Sequence, residues 1–92
     1  MRVADRVRLK LTEALAPERL VLTDESHRHA GHAGARPEGE THFHIEIVSR
    51  HFHGQNRIAR QRLVYALLAD ELAGPIHALA LTTRTPEEDP IN

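Results

Sequence analysis

The chain has no cysteine and no tryptophan, one tyrosine, two phenylalanines, and no apolar run approaching a membrane span. Each shortage excludes a class of function. Without thiols it can form no disulfide, use no cysteine nucleophile, and hold neither zinc nor an iron–sulfur cluster by thiolates of its own. Any metal must be met by imidazole or carboxylate. So few aromatic rings leave little to stack against nucleobases. With nothing near the roughly 20 apolar residues of a spanning helix, and no apolar core behind the Arg-bearing start, we expect a soluble, cytoplasmic protein with no membrane attachment. An excess of one charge is also missing, since 12 Lys and Arg face 13 Asp and Glu for a formal charge of −1. Non-specific nucleic-acid affinity depends on clustered cations displacing counterions, and no global surplus exists for it. The 92 residues suffice for one domain, 1–92, but not for a second core or a deep, dry reaction chamber.

What the chain does have is histidine. Eight of them, all protonated, would move the formal charge from −1 to +7, so the surface potential should change sign around the ordinary imidazole pKa of about 6.5.

Apolar spacing outlines the fold. Val3, Val7, Leu11, Ala14 and Leu15 recur at three and four residues and predict an amphipathic helix that ends at Pro17. Arg19 to Thr23 reads as a strand with Leu20 and Leu22 on one face. From 24 to 40 the periodicity stops, and Gly31, Gly34, Pro37 and Gly39 punctuate a 17-residue loop carrying His27, His29 and His32. Loops longer than about 12–15 residues are uncommon in small domains and are often functional. Thr41 to Ser49 alternates strictly, with Phe43, Ile45 and Ile47 opposite His42, His44 and Glu46, as a half-buried strand requires. Arg57 to Leu72, dense in Arg, Leu and Ala, reads as one central packing helix, with Ile58 among its apolar positions; Gly74 and Pro75 stop it. Ile76 to Thr83 reads as a third strand, with Ile76, Ala78 and Ala80 on one face and His77, Leu79 and Leu81 on the other. Thr85-Pro86-Glu87-Glu88 has the form of a capping box that opens one last helical turn in the tail 84–92. Strands one and two can pair antiparallel. The third follows a helical crossover and should lie parallel to the second, in an α+β arrangement with helices on one sheet face.

Several segments in order are similar to the BolA family: Asp24-Glu25-Ser26-His27-Arg28-His29, Gly39-Glu40-Thr41-His42-Phe43, Arg60 through Leu72, His77-Ala78-Leu79-Ala80-Leu81, and Thr85-Pro86-Glu87-Glu88. The resemblance implies a class II KH-like fold of αββααβα type with a three-stranded mixed sheet. It also implies a non-enzymatic adaptor that binds a monothiol glutaredoxin and shares a [2Fe–2S] cluster with glutaredoxin cysteine and glutathione, for iron–sulfur trafficking or iron and redox sensing. Alone, such a chain would be a monomer or weak homodimer without tightly bound cofactor. By position, His77 matches the family's cluster-ligating histidine and His29 its variable second ligand, with His27 or His32 as competitors in the loop. Two residues depart from the family pattern. Gln61 stands where histidine is frequent, which should matter little. Asp89 stands where an aromatic residue commonly follows the acidic pair, which should weaken packing of the last turn.

The ligand chemistry agrees with the composition. Four ligand positions must be filled, a cysteine-free chain offers imidazole alone, and the thiolates must come from a partner. The pairs His42/His44 and His51/His53 read as a polar strand face and an exposed connector; two imidazoles on one strand face can chelate zinc or copper but fall short of the usual four ligands. The alternative reading is a DNA-binding regulator of morphology and stress that uses Arg57, Arg60 and Arg62 at the start of the main helix, where arginines more often form a solvated polar helix start. Gly31-His32-Ala33-Gly34 spells a KH phosphate clamp, but that clamp joins helices rather than strands. Glu25, Ser26 and His27 adjoin without an oxyanion-hole or nucleophile-elbow pattern, so no catalytic triad is expected.

Overall fold

The computed structural model describes residues 2–26 and 41–91. Helix α1 spans Val3–Leu15, and strand β1 spans Arg19–Asp24. The Arg2 backbone N–H donates to Asp5 Oδ2 at 3.1 Å at the start of α1, and Ala16, in the left-handed region at φ 40°, closes it ahead of Pro17. Strand β2 (His42–Val48) leads into a 3₁₀ turn at Arg50–Phe52. Helices α2 (Arg57–Leu67) and α3 (Ala69–Ala73), strand β3 (Ala78–Arg84) and a closing 3₁₀ turn (Pro86–Glu88) complete the order.

The sheet runs β1-β2-β3, antiparallel between β1 and β2 and parallel between β2 and β3, as expected. Val7, Leu11 and Leu15 of α1, Val64 of α2 and Leu68 between α2 and α3 share one core with Phe43, Ile45 and Ile47 of β2, Phe52 and Ile76. Each such buried side chain contributes about 1.5–3 kcal/mol. That matters for α1, because an isolated helix shorter than about 12–15 residues is marginal in water and its stability comes from the buried face. Among the described helices none is long and apolar enough to cross a membrane.

Four local expectations need correction. The single helix 57–72 is two helices, because the backbone leaves helical geometry at Leu68 (φ −106°, ψ 21°). Spacing concealed the break: Leu72 N still donates to Leu68 O at 2.9 Å, so the apolar rhythm continues across it. The bend turns Glu71 inward, where its carboxylate, 2% exposed, meets Lys10 Nζ at 2.9 Å and Arg6 Nε at 3.6 Å. Second, Ile58 is 61% exposed whereas Arg60 is buried, so the first turn of α2 inverts the expected polarity. Third, β3 begins at Ala78 rather than Ile76. Ile76 therefore escapes strand alternation and enters the core with Leu79 and Leu81, while His77, Ala78 and Ala80 are exposed. Fourth, Ala14 is exposed, which narrows the apolar face of α1 to its four-residue repeat.

Candidate functional site

Parallel pairing of β2 with β3 sets His42 opposite Ala78, and so brings His77, one residue before β3, alongside the start of β2. Its position is held from both sides. Buried Ile76 anchors the preceding residue, its N–H donating to Glu71 O at 2.9 Å, and the His77 N–H donates to Thr41 O at 2.7 Å. With its backbone fixed, the His77 side chain stays at the surface, and its ring lies nearly parallel to that of His42 (centroids 6.3 Å apart, planes 23° apart). His42 is thus a site residue that strand alternation alone grouped with the polar face. The signal that could have found it was the parallel β2–β3 pairing combined with a β3 start at Ala78.

Below His42 is a buried hydroxyl pair. Ser26 Oγ accepts from Thr41 N at 2.8 Å and His42 N at 3.1 Å, and lies 3.2 Å from Thr41 Oγ1. Thr41 Oγ1 in turn lies 2.8 Å from His42 Nδ1. Ser26 N donates to Asp24 Oδ1 at 2.9 Å, and Glu25 N to His42 O at 2.7 Å. Segment 27–40, which carries His27, His29 and His32, therefore leaves from Ser26 and returns at Thr41 beside His77. Those three histidines lie outside the described residues, as does the Gly31–Gly34 stretch. Among the described residues no group of three His, Asp or Glu side chains is placed to hold a metal ion. The two imidazoles that face each other at this end of the sheet are those of His42 and His77.

Of the other described histidines, His44 and His53 have side-chain partners elsewhere. His44 Nε2 lies 3.0 Å from Thr82 Oγ1 on the open sheet face, and His53 Nε2 lies 2.6 Å from Glu87 Oε1. The latter contact belongs to a polar cluster at the opposite end of the sheet, where the consecutive acids Glu87, Glu88 and Asp89 each meet a basic side chain from a different part of the chain. Arg60 Nη1 and Nη2 reach Glu88 at 2.7 and 3.2 Å, and Arg19 Nη1 and Nη2 reach Asp89 at 2.5 and 2.8 Å. Arg19 and Arg84 both donate to Glu46. Asp89, expected to loosen the last turn, instead ties it to β1 by this forked pair. The Arg60 fork, with a backbone hydrogen bond from Thr85 N, draws the Glu88 carboxyl down to about 2. Arg19 lowers Glu46 and Asp89, and His53 lowers Glu87.

This cluster includes one of the three arginines of the expected cationic surface. Arg60 is held by Glu88, by Gln55 O at 2.8 Å and Thr83 O at 3.3 Å, and its guanidinium sits 5.6 Å from the centre of the Phe52 ring. Its guanidinium is thus engaged within the fold. Arg57 and Arg62 remain exposed, and Arg57 lines a shallow cleft with Arg84, whose charge is already met by Glu46. Two isolated cations are a poor footprint for duplex DNA, which rewards clustered charge.

Residues 11–88 match the family model for BolA-like protein. The chain belongs to the BolA family. The chloroplastic protein BOLA1 of Arabidopsis thaliana is 49% identical over 89 residues, covering 95% of this chain and 56% of that protein. Human BolA-like protein 1 is 51% identical over 82 residues, covering 89% of this chain and 57% of its own length. The chain thus spans a little over half of these curated BolA relatives. The solved structure of BolA1 from Arabidopsis thaliana superposes with a TM-score of 0.88 at 47% identity, covering 98% of each chain. Its agreement extends the BolA assignment from sequence to the α+β fold with a mixed three-stranded sheet.

Proposed function

We propose that this BolA-family chain is an adaptor that joins a monothiol glutaredoxin and supplies imidazole to a shared [2Fe–2S] cluster, with His77 as the fixed ligand and a histidine of segment 27–40, His29 in first place, as the exchangeable one. The observation that carries the reading is the exposed His77 ring, pinned through its backbone to Thr41 in a chain that has no thiol of its own. The thiolates would come from glutaredoxin and glutathione, which makes the partner obligatory. Neutral imidazole in place of thiolate lessens the negative charge on iron and raises the reduction potential, and such a ligand leaves on protonation, which favours transfer or sensing over storage. On this reading the chain performs no chemistry of its own and works in the cytoplasm.

The test is reconstitution of the mixed complex from this chain, a monothiol glutaredoxin, glutathione, iron and sulfide, followed by visible absorption and circular dichroism. His77→Ala is expected to abolish or reshape the cluster bands. An unchanged spectrum would falsify the ligand assignment. The DNA-binding alternative keeps Arg57 and Arg62 but has lost Arg60 to the fold, which is why the adaptor reading is preferred.

A further inference from the structure

Strand β3 is an edge of the sheet, paired with β2 on one side and with no strand on the other. In an extended strand the N–H and C=O of one residue point the same way, and those of the next residue point oppositely. Ala78 N donates to Thr41 O at 3.2 Å and Arg84 O accepts from Ser49 N at 2.9 Å, so the even-numbered residues of β3 face β2. Leu79, Leu81 and Thr83 therefore turn their backbone groups outward. Thr83 O is met by Arg60 Nη1 at 3.3 Å, whereas no hydrogen bond among the described residues reaches the N–H or C=O of Leu79 or Leu81. Exposed edges are ordinarily protected by a charge, a proline or a bulge. From 78 to 83 β3 has neither charge nor proline, and its register with β2 runs unbroken to Arg84. Beside this edge, Arg57 of α2 lines a cleft of about 210 Å³ with Leu81, Thr82, Thr83 and Arg84. That is smaller than the roughly 300–1,000 Å³ of small-molecule sites and suits one side chain of a larger ligand. Arg84 is met by Glu46, but Arg57 is exposed and has no carboxylate partner among the described residues.

We infer that the outer edge of β3 takes an extended acidic segment of a partner protein as a fourth strand, with one carboxylate of that segment at Arg57. Neither His77 nor a cluster takes part. The edge offers N–H and C=O groups in alternation, which another peptide backbone complements. A nucleic-acid backbone brings acceptors at its phosphates but no matching donors, and would leave the carbonyls of Leu79 and Leu81 unmet. A second copy pairing through its own β3 brings only Ala, Leu, Thr and Arg, so nothing in it answers Arg57. An acidic segment satisfies both the backbone and the guanidinium. Main-chain hydrogen bonds supply most of the affinity, and the exposed ion pair sets the preference for acid.

The probe is a blocked eight-residue peptide of alternating valine and aspartate, titrated into the full chain at low salt while its backbone amide resonances are followed. Saturable shifts are expected at Leu79, Leu81 and Thr83, with slowed hydrogen exchange at the Leu79 and Leu81 amides. Arg57→Ala, a change at an exposed position, should weaken binding by about two- to fivefold, the worth of one exposed ion pair. Asparagine in place of aspartate in the peptide should weaken it at least as much. N-methylation of every peptide amide removes the peptide's donors, keeps its charge, and should abolish binding. Three results overturn the proposal. Shifts of the same amides when the chain alone is concentrated would give the edge to a second copy. Shifts there with a single-stranded oligonucleotide but not with the peptide would give it to nucleic acid. Peptide-induced shifts that are absent from Leu79 and Leu81, or indifferent to both Arg57→Ala and asparagine, would remove the acidic strand altogether.

Discussion

The two ends of the β-sheet are held by different chemistry. Where β1 starts and β2 and β3 finish, Arg19, Arg60, Arg84 and His53 are matched against Glu46, Glu87, Glu88 and Asp89. Where β1 finishes and β2 and β3 begin, Thr41 and His42 are held by neutral groups, a serine, a threonine, backbone amides and an imidazole nitrogen, and the Asp24 carboxylate accepts from Ser26 N. Charged pairs satisfy one another and leave nothing over for a visitor. Hydroxyls and imidazoles are both donors and acceptors, so a chain of them can fix a backbone and still end in a polar group aimed outward. The end that looks more functional by charge is the structural one, and the quieter end is where the exposed ligand candidate lies.

That contrast breaks most visibly at Ser26. Ser26→Ala removes the acceptor of two amides, at Thr41 and His42, in a site where Ser26 is 5% and Thr41 0% exposed. Buried donors left without partners cost about 1–3 kcal/mol, so urea denaturation should show a loss of that size. Because the lost partners are uncharged, the loss should be the same in low and high salt. A loss that shrank with added salt would mean that this end, too, is held by charge.

Acid should act on the other end. Glu46, Glu87, Glu88 and Asp89 are all held below their ordinary values by hydrogen bonds from the basic side chains that meet them. A carboxyl whose folded pKa lies below its unfolded one stabilises the protein above the unfolded value and loses that contribution as pH falls through the folded value. For Glu88 the window runs from 4.5 down to about 2. Hydrogen exchange between pH 5 and pH 3 should therefore show Thr85, Glu88 and Asp89 amides losing protection before those of Thr41 and His77. Simultaneous loss at both ends would show that the sheet opens as one unit and that the ionic contacts contribute no local stability.

Much of this division was legible in the sequence, and the failures have physical reasons. The order of elements and the inward faces of β1 and β2 followed from apolar spacing, because burial of one strand face imposes a strict period of two, and the antiparallel and parallel pairings followed from the connections between the strands. Arg60 and Ile58 exchanged places because a guanidinium with a forked carboxylate, two carbonyls and an aromatic face can be buried, and pattern reading ranks residues by type rather than by partners. Asp89 gained a role from Arg19, 70 residues away in sequence, a contact no local motif contains. His77 was legible through the resemblance, but His42 emerged from the strand register, and Ser26 and Thr41 from burial; in sequence they are ordinary loop-edge hydroxyls. Ser49 is a similar case: buried, it donates to Leu15 O at 2.6 Å and so satisfies a carbonyl left open at the end of α1.

The smallest expected effect concerns Arg57 and Arg62. Both are exposed at the start of α2, and neither takes part in the ionic cluster that holds Arg60. Replacing either by alanine should change stability by less than about 0.5 kcal/mol, the usual range for surface positions away from caps and ion pairs. That near-silence is what makes the pair informative. Electrophoretic shifts of duplex DNA at low salt, with the double variant Arg57→Ala/Arg62→Ala against the wild type, separate a nucleic-acid surface from a solvated helix start without the ambiguity of a weakened fold. On the adaptor reading neither protein shifts the duplex. A wild-type shift that the double variant abolishes would return function to the charged end and reverse the assignment of roles between the two ends of the sheet.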